Sequence, residues 1–429
     1  MTDRPLKQIH LAAHFPGVNN TTVWTDPASG SQIAFDSFRH LARTAERGKF
    51  DFFFLAEGLR LREVKGRIHD LDVVGRPESI TVLNALAAVT THLGLAATVN
   101  ATFNEPYELA RRFASLDHLS GGRAAWNVVT SSDAFTGENF RRGGYLDRAD
   151  RYARAAESVE LAREFWDAAD GGTVRHQGPQ FDVEGTLSVP RPPQGHPVVI
   201  QAGDSDGGRE FAAAAADVIF SRHSTLAAGQ TFHADVKRRL AAYGRKPDEL
   251  KIMPGVTYVL GDTEAEAVER AAEIRRAQVS PATAINYLEQ IWGIDLSGHD
   301  VDGPLPAVDP VRDSGLVQGR TSLGDPLEIA AKWRAVAAEK KLSSRELVIE
   351  VTGRQNFIGT PASVAAQLDL HVQSDAADGF ILVPHLTPGG LDEFVDKVVP
   401  LLQERGVFRT EYTGTTLRDH LGLPVPGRR

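Results

Sequence analysis

A chain of 429 residues, 42% hydrophobic and 24% charged, has the composition of a globular protein and is long enough for one large α/β barrel or for two to three average domains. A net charge of −9, with acids interspersed among the basic residues, excludes a nucleic-acid surface and leaves no basic patch. Cysteine is absent, which excludes a disulfide framework, thiolate metal ligands and a cysteine nucleophile.

No apolar run approaches the ~20 residues of a membrane span, and Met1 to Lys7 leads into no signal-peptide core. The expectation is a cytoplasmic protein with one domain over 1–429.

Gln8 to Ala13 reads as a first strand, followed by a polar loop from His14 to Ser31. Phe38, Leu41, Ala42 and Ala45 have helical spacing and predict a helix over 36–48, closed by Gly48. The very apolar run 50–56 predicts a second strand, closed by Glu57 and Gly58. A helix over 77–91 precedes a third strand, 93–98, which runs into Asn100 and Thr102. A helix over 106–119 then leads to a fourth strand, 124–129, released by Gly121 and Gly122. Asn127 interrupts that apolar run, and a buried amide must find partners.

The alternation continues. A helix is predicted over 147–167, a fifth strand over 197–201, a helix over 209–216 and a sixth strand over 217–220. Then come a helix over 231–243, a seventh strand over 251–260 and a helix over 262–276. An eighth strand, 379–384, and a last helix, 391–405, complete the pattern, leaving 406–429 as a C-terminal tail. Eight short strands alternating with helices predict a (β/α)8 TIM barrel, with a doubly wound open sheet as the second choice.

Two insertions interrupt it. Paired prolines in 171–193 suggest a small β excursion. The longest insertion lies between strands seven and eight, where Gly and Pro are scattered among Asp and Ser over 293–324. A loop of that length inside a domain is usually functional or mobile, so 279–325 is read as a mobile active-site lid.

Polar residues gather where strands end. Gly203, Asp204, Ser205, Asp206, Gly207 and Gly208 run from strand five into a helix, whose free N–H groups and dipole suit a phosphate. The order is not a dinucleotide fingerprint, and no P-loop is present. Tyr152, with Arg148 on the same helix face, could reach one phosphate. His10 and His14 lie at strand one, and His223 and His385 follow later strands. His69 and Asp70 lack a second histidine at ligand spacing, so no metal is expected. No Gly-x-Ser-x-Gly elbow appears.

Residues 120–131 (Ser-Gly-Gly-Arg-Ala-Ala-Trp-Asn-Val-Val-Thr-Ser) resemble the signature of the flavin-dependent monooxygenases of the bacterial-luciferase-like superfamily, in the branch with nitrilotriacetate, dibenzothiophene-sulfone and long-chain-alkane monooxygenases. Stretches 51–57, 102–111, 151–155, 201–208 and 357–361 agree in order. The resemblance implies a barrel that takes reduced FMN from a separate NAD(P)H:flavin reductase and oxygenates a small organic substrate with O2 through a C4a-(hydro)peroxyflavin. It places Glu57, where relatives usually have Asp, together with Asn100, Thr102 and Asn127 beside the flavin ring. It places Tyr152, Ser205 and the backbone after Gly203, with Asp204 alongside, at the phosphate. Arg148 stands where relatives often have His, and Asn100-Ala101 replaces Ser-Thr. His14 or His10 is the expected hydrogen-bonding group at the reacting centre. A homodimer or homotetramer is the family expectation. The alternatives are a deazaflavin-dependent hydride-transfer oxidoreductase, a non-catalytic flavin-binding protein, and a phosphate-sugar isomerase or hydrolase on the same barrel.

Overall fold

Eight parallel strands close into a barrel in a computed structural model of the chain, which describes residues 5–15, 21–61, 63–64, 67–68, 77–131, 134–140, 150–312, 317–318, 324–353 and 355–427. The strands are His10–His14 (β1), Phe52–Leu55 (β2), Gly94–Asn100 (β3), Ala124–Val129 (β4), Val198–Gln201 (β5), Val218–Ser221 (β6), Lys251–Val256 (β7) and Gly379–Leu382 (β8). Each pairs with the next in sequence, and β8 returns to β1. The expected (β/α)8 barrel is the observed fold.

The strands are apolar throughout because both faces are buried. Counting by twos along each strand separates the faces. Ala12, Phe54, Ala96, Ala125, Ile200, Met253 and Ile381 meet inside the barrel. Leu11, Phe53, Leu95, Trp126, Val199, Ile219 and Phe380 pack outward under the helices. The glycine pair before β4 works as the sequence implies. Gly121 and Gly122 sit at φ 68° and 92° after the helix Pro106–Ser120, a conformation that costs glycine little.

The amino end of the barrel is closed by the chain's last segment. Leu417 and Leu421 of the short helix Leu417–Leu421, and Leu423 beyond it, join the interior cluster. Arg418 pairs with buried Asp217 at 3.0 Å, and Arg409 with Asp51 at 2.6 Å. Residues 406–427 are therefore a docked floor.

Three elements differ from expectation. The seventh strand stops at Val256, and Tyr258–Leu260 leaves the barrel to pair in parallel with Phe357–Gly359. The last helix divides into Asp392–Lys397 and Val399–Glu404, because Pro400 has no N–H for the helical ladder. The long insertion is mostly ordered structure. Pro281–Trp292, Pro326–Lys340 and Ser344–Thr352 are helices around a core of their own that includes Leu288, Trp292, Leu296, Ala330 and Val348. Its Gly- and Pro-rich turns are pinned by side chains. Trp292 donates to the Val308 carbonyl at 2.9 Å, and His299 bonds the Ser344 hydroxyl at 3.0 Å.

Val317–Gln318 pairs antiparallel with Glu63–Val64, carrying the insertion across to the β2 side; residues 313–316 and 319–323 of the expected lid lie outside the described residues. The 171–193 excursion is the hairpin Val174–Gln177 with Asp182–Gly185. Among the described residues no helix is long and apolar enough to cross a membrane.

Candidate active site at the carboxyl end of the barrel

His14 ends β1 with its side chain turned into the barrel. The ring stacks on Phe54, centroids 5.4 Å apart, and lies 6.3 Å from Phe220. Phe220 fits there because Gly255 on the facing strand has no Cβ, which would overlap the ring. Burial pushes the His14 imidazole down to about 4, so at neutral pH one ring nitrogen donates and the other accepts. Its Nδ1 has no hydrogen-bond partner.

His10 is elsewhere. Four residues down the same strand is about 13 Å, at the barrel floor, where its Nδ1 lies 3.2 Å from Asp51. Arg409 and the Leu11 N–H hold the same carboxylate and, despite its burial, keep it down at about 2. Of the two expected histidines, the structure brings only His14 to the mouth.

Beside His14, the ends of β3 and β4 form an amide platform. The Asn100 amide nitrogen donates to the Ser131 hydroxyl at 2.7 Å, and its oxygen accepts from the Thr102 N–H at 2.7 Å. The Ser131 N–H donates to the Thr102 hydroxyl at 3.1 Å. Asn127 donates to Thr98 at 3.0 Å, but its amide oxygen is buried without a partner. Such an oxygen costs about 1–3 kcal/mol until a donor reaches it, which marks it for a ligand N–H. Glu57, just past β2, is half-buried. Burial and then the neighbouring Glu78 carboxylate push its carboxyl up to about 7.

Across the mouth, Ser205 caps the helix Asp206–Ala215. Its Oγ accepts from the Gly208 N–H at 3.2 Å and lies 3.2 Å from the Tyr152 hydroxyl. A Cβ on Gly203 would stand 3.0 Å from that hydroxyl and overlap the Gln201 amide, and one on Gly208 would come within 2.9 Å of the Gly203 carbonyl carbon. The glycines keep open a cradle that a helix N-terminus, two hydroxyls and the Gln201 amide nitrogen surround. Asp204 carries its charge away from it, to His223 at 2.6 Å and Arg222 at 3.0 Å. Free donors and a dipole's positive end suit a dianionic phosphate. The Arg151 guanidinium lies 4.8 Å over the Tyr152 ring.

The expected residues Tyr152, Gly203, Asp204 and Ser205 thus converge, as do Asn100, Thr102 and Asn127. Arg148, His69 and Asp70 lie outside the described residues. His385 follows β8 and lines a cavity of about 330 Å³ under the insertion. Thr98, Gln201 and Phe220 went unanticipated. The period-two count that puts Ala96 and Val218 inside would have found Thr98 and Phe220; Gln201 breaks that alternation and gave no such signal.

A family model described as luciferase-like monooxygenase matches residues 17–379. Nitrilotriacetate monooxygenase component A of Aminobacter aminovorans is 40% identical, over 94% of this chain and 93% of that protein. Dibenzothiophene-sulfone monooxygenase of Rhodococcus erythropolis (strain XP) is 39% identical over 98% of each. The crystal structure of a riboflavin lyase with modified FMN and riboflavin superposes with a TM-score of 0.79 at 29% identity, covering 98% of this chain and 97% of that one.

Proposed function

The chain is a monooxygenase of the luciferase-like family, and from that premise we propose that it is the oxygenating component of a two-component system, taking reduced FMN from a separate NAD(P)H:flavin reductase. The observation that carries FMN in particular is the cradle at Tyr152, Gly203 and Ser205, which suits a terminal phosphate and follows the strand next to the one that carries the unspent Asn127 amide oxygen. The modified FMN named for the riboflavin lyase and the component designation of the nitrilotriacetate enzyme support the same reading.

Bound reduced flavin would activate O2, one oxygen atom passing to the substrate and the other leaving as water. The chain's own residues do the rest. Ser205, Tyr152 and the helix N–H groups hold the phosphate; the Asn127 oxygen and the Asn100–Ser131 pair orient the ring edge. Phe54 and Phe220 exclude water beside His14, which strengthens every polar contact there. His14, neutral and with an unspent nitrogen, hydrogen-bonds the reacting groups without delivering a charge.

The test is to mix the protein anaerobically with photoreduced FMN, admit oxygen, and follow the flavin spectrum. A species distinct from both oxidised and reduced flavin, outliving that of free FMN, is expected. Reoxidation at the rate seen in buffer overturns the monooxygenase chemistry, and deazaflavin would then be titrated in its place.

A further inference from the structure

The cavity of about 330 Å³ lies between Thr257 and Val383, just beyond β7 and β8, and the helices of the insertion. It is therefore at the same end of the barrel as His14. Half of its walls are apolar or aromatic, Tyr258, Ile291 and Trp333 among them, and among the described residues no aspartate or glutamate lines it. Burial pushes the His385 imidazole down to about 4, so that side chain is neutral. Among the described residues, one charge faces this space at neutral pH, the guanidinium of Arg275, which is 9% exposed.

Among the described residues, every hydrogen-bond partner of that guanidinium is neutral. One terminal nitrogen donates to Gln278 Oε1 at 2.7 Å; the other donates to the Ile349 carbonyl and the Thr352 hydroxyl, each at 3.0 Å. Nε is buried with no hydrogen-bond partner, and Gly353 packs close beside it, where a Cβ would stand 3.7 Å from Nε and 3.2 Å from the Ile349 carbonyl oxygen. The other buried arginines are satisfied differently. Arg409 and Arg418 each hold an aspartate. Arg123 spends all five N–H donors on carbonyl and hydroxyl oxygens. The carbonyl ends of the helices Glu264–Gln278 and Ser344–Thr352 offer Arg275 only partial negative charge. A buried cation needs a full counter-charge or, as at Arg123, a full set of acceptors, and among the described residues Arg275 has neither.

We propose that this cavity is a substrate subsite and that Arg275 receives a carboxylate in it, so that the enzyme's substrate is an organic acid with an apolar or aromatic body. The proposal rests on the monooxygenase reading above and names its substrate class. A guanidinium with its Nε hydrogen and one Nη1 hydrogen unspent can receive a carboxylate oxygen, and the aromatic walls take the remainder of the molecule.

The test is calorimetric titration of the full chain, with and without oxidised FMN, using hexanoate, phenylacetate and phenylsuccinate, each against its amide. At least one acid is expected to bind at least tenfold more tightly than its amide, and Arg275→Met to erase the difference. Arg275 also holds the end of the helix Ser344–Thr352, so Gln278→Glu serves as the second variant. It sets a carboxylate against the guanidinium within a folded chain and should abolish acid binding while leaving amide binding unchanged. Equal binding of acid and amide, binding by none of the acids, or acid binding untouched in Gln278→Glu would each overturn the proposal. Because binding is read without turnover, failure here leaves the flavin experiment standing, and failure there leaves this result interpretable.

Discussion

Glu57 gives the molecule a pH dependence of its own. Its folded value of about 7 lies above the ordinary 4.5, so between those values the folded chain holds a proton that the unfolded chain has released. Stability therefore falls as pH rises through that window. Glu57→Gln cannot titrate and should lose this slope, so its Tm should gain on the wild type from pH 5 to pH 8; parallel curves would refute the assignment. His14 behaves oppositely: its folded value of about 4 lies below the ordinary 6.5, so stability rises with pH through that window. His14→Ala should lower product formed per flavin oxidised by at least about tenfold, a hydrogen bond to a charged group being worth about 1.5–3 kcal/mol, and hydrogen peroxide release would register the difference. At this scale sequence was a fair guide where a polar residue ends a strand, as at His14 and Asn100, or interrupts one, as at Asn127. It could not separate His14 from His10, since which end of β1 opens on the mouth depends on the closed barrel. Arg275 was invisible for a related reason: its want of a counter-ion is a property of its neighbours in space.

Among the elements, the β5 turn and its helix are the most exacting. Tyr152→Phe removes one hydroxyl from the cradle and should weaken FMN binding about tenfold, read by quenching of flavin fluorescence. Gly203→Ala should do more harm, because the new methyl overlaps the Gln201 amide and crowds the Tyr152 hydroxyl. If both variants bind FMN like the wild type, the phosphate lies elsewhere. This element was readable in advance, because glycines between an apolar strand and a helix have few other uses. The break after Val256 was not. Residues 251–260 form one apolar run, and only the parallel partner Phe357–Gly359, distant in sequence, draws its second half out of the barrel. The insertion was legible only in part for a similar reason. Its glycines and prolines suggested open loop, whereas its core lies in residues such as Trp292 and Val348 that meet only after folding.

The whole molecule depends on its floor. Leu417 is fully buried and fits against Gly94, where a Cβ would come within 2.6 Å of it. Leu417→Ala should cost about 2–5 kcal/mol in urea unfolding. Arg409→Ala strands the fully buried Asp51 carboxylate and should cost about 3–5 kcal/mol. Either change acting only on turnover, with stability intact, would show that the segment is not structural. A five-residue helix carries too little periodicity to announce itself in a sequence, which is why 406–429 read as a tail although the barrel itself was plain. With that end sealed by Leu417, Leu421 and Leu423, the site opens, among the described residues, at the carboxyl end of the barrel. Cofactor, substrate and product must then queue at one entrance, and whichever sits deepest has to be first in and last out. Initial rates with both varied should show a compulsory order of addition, with the outer ligand trapping the inner one when it is in excess.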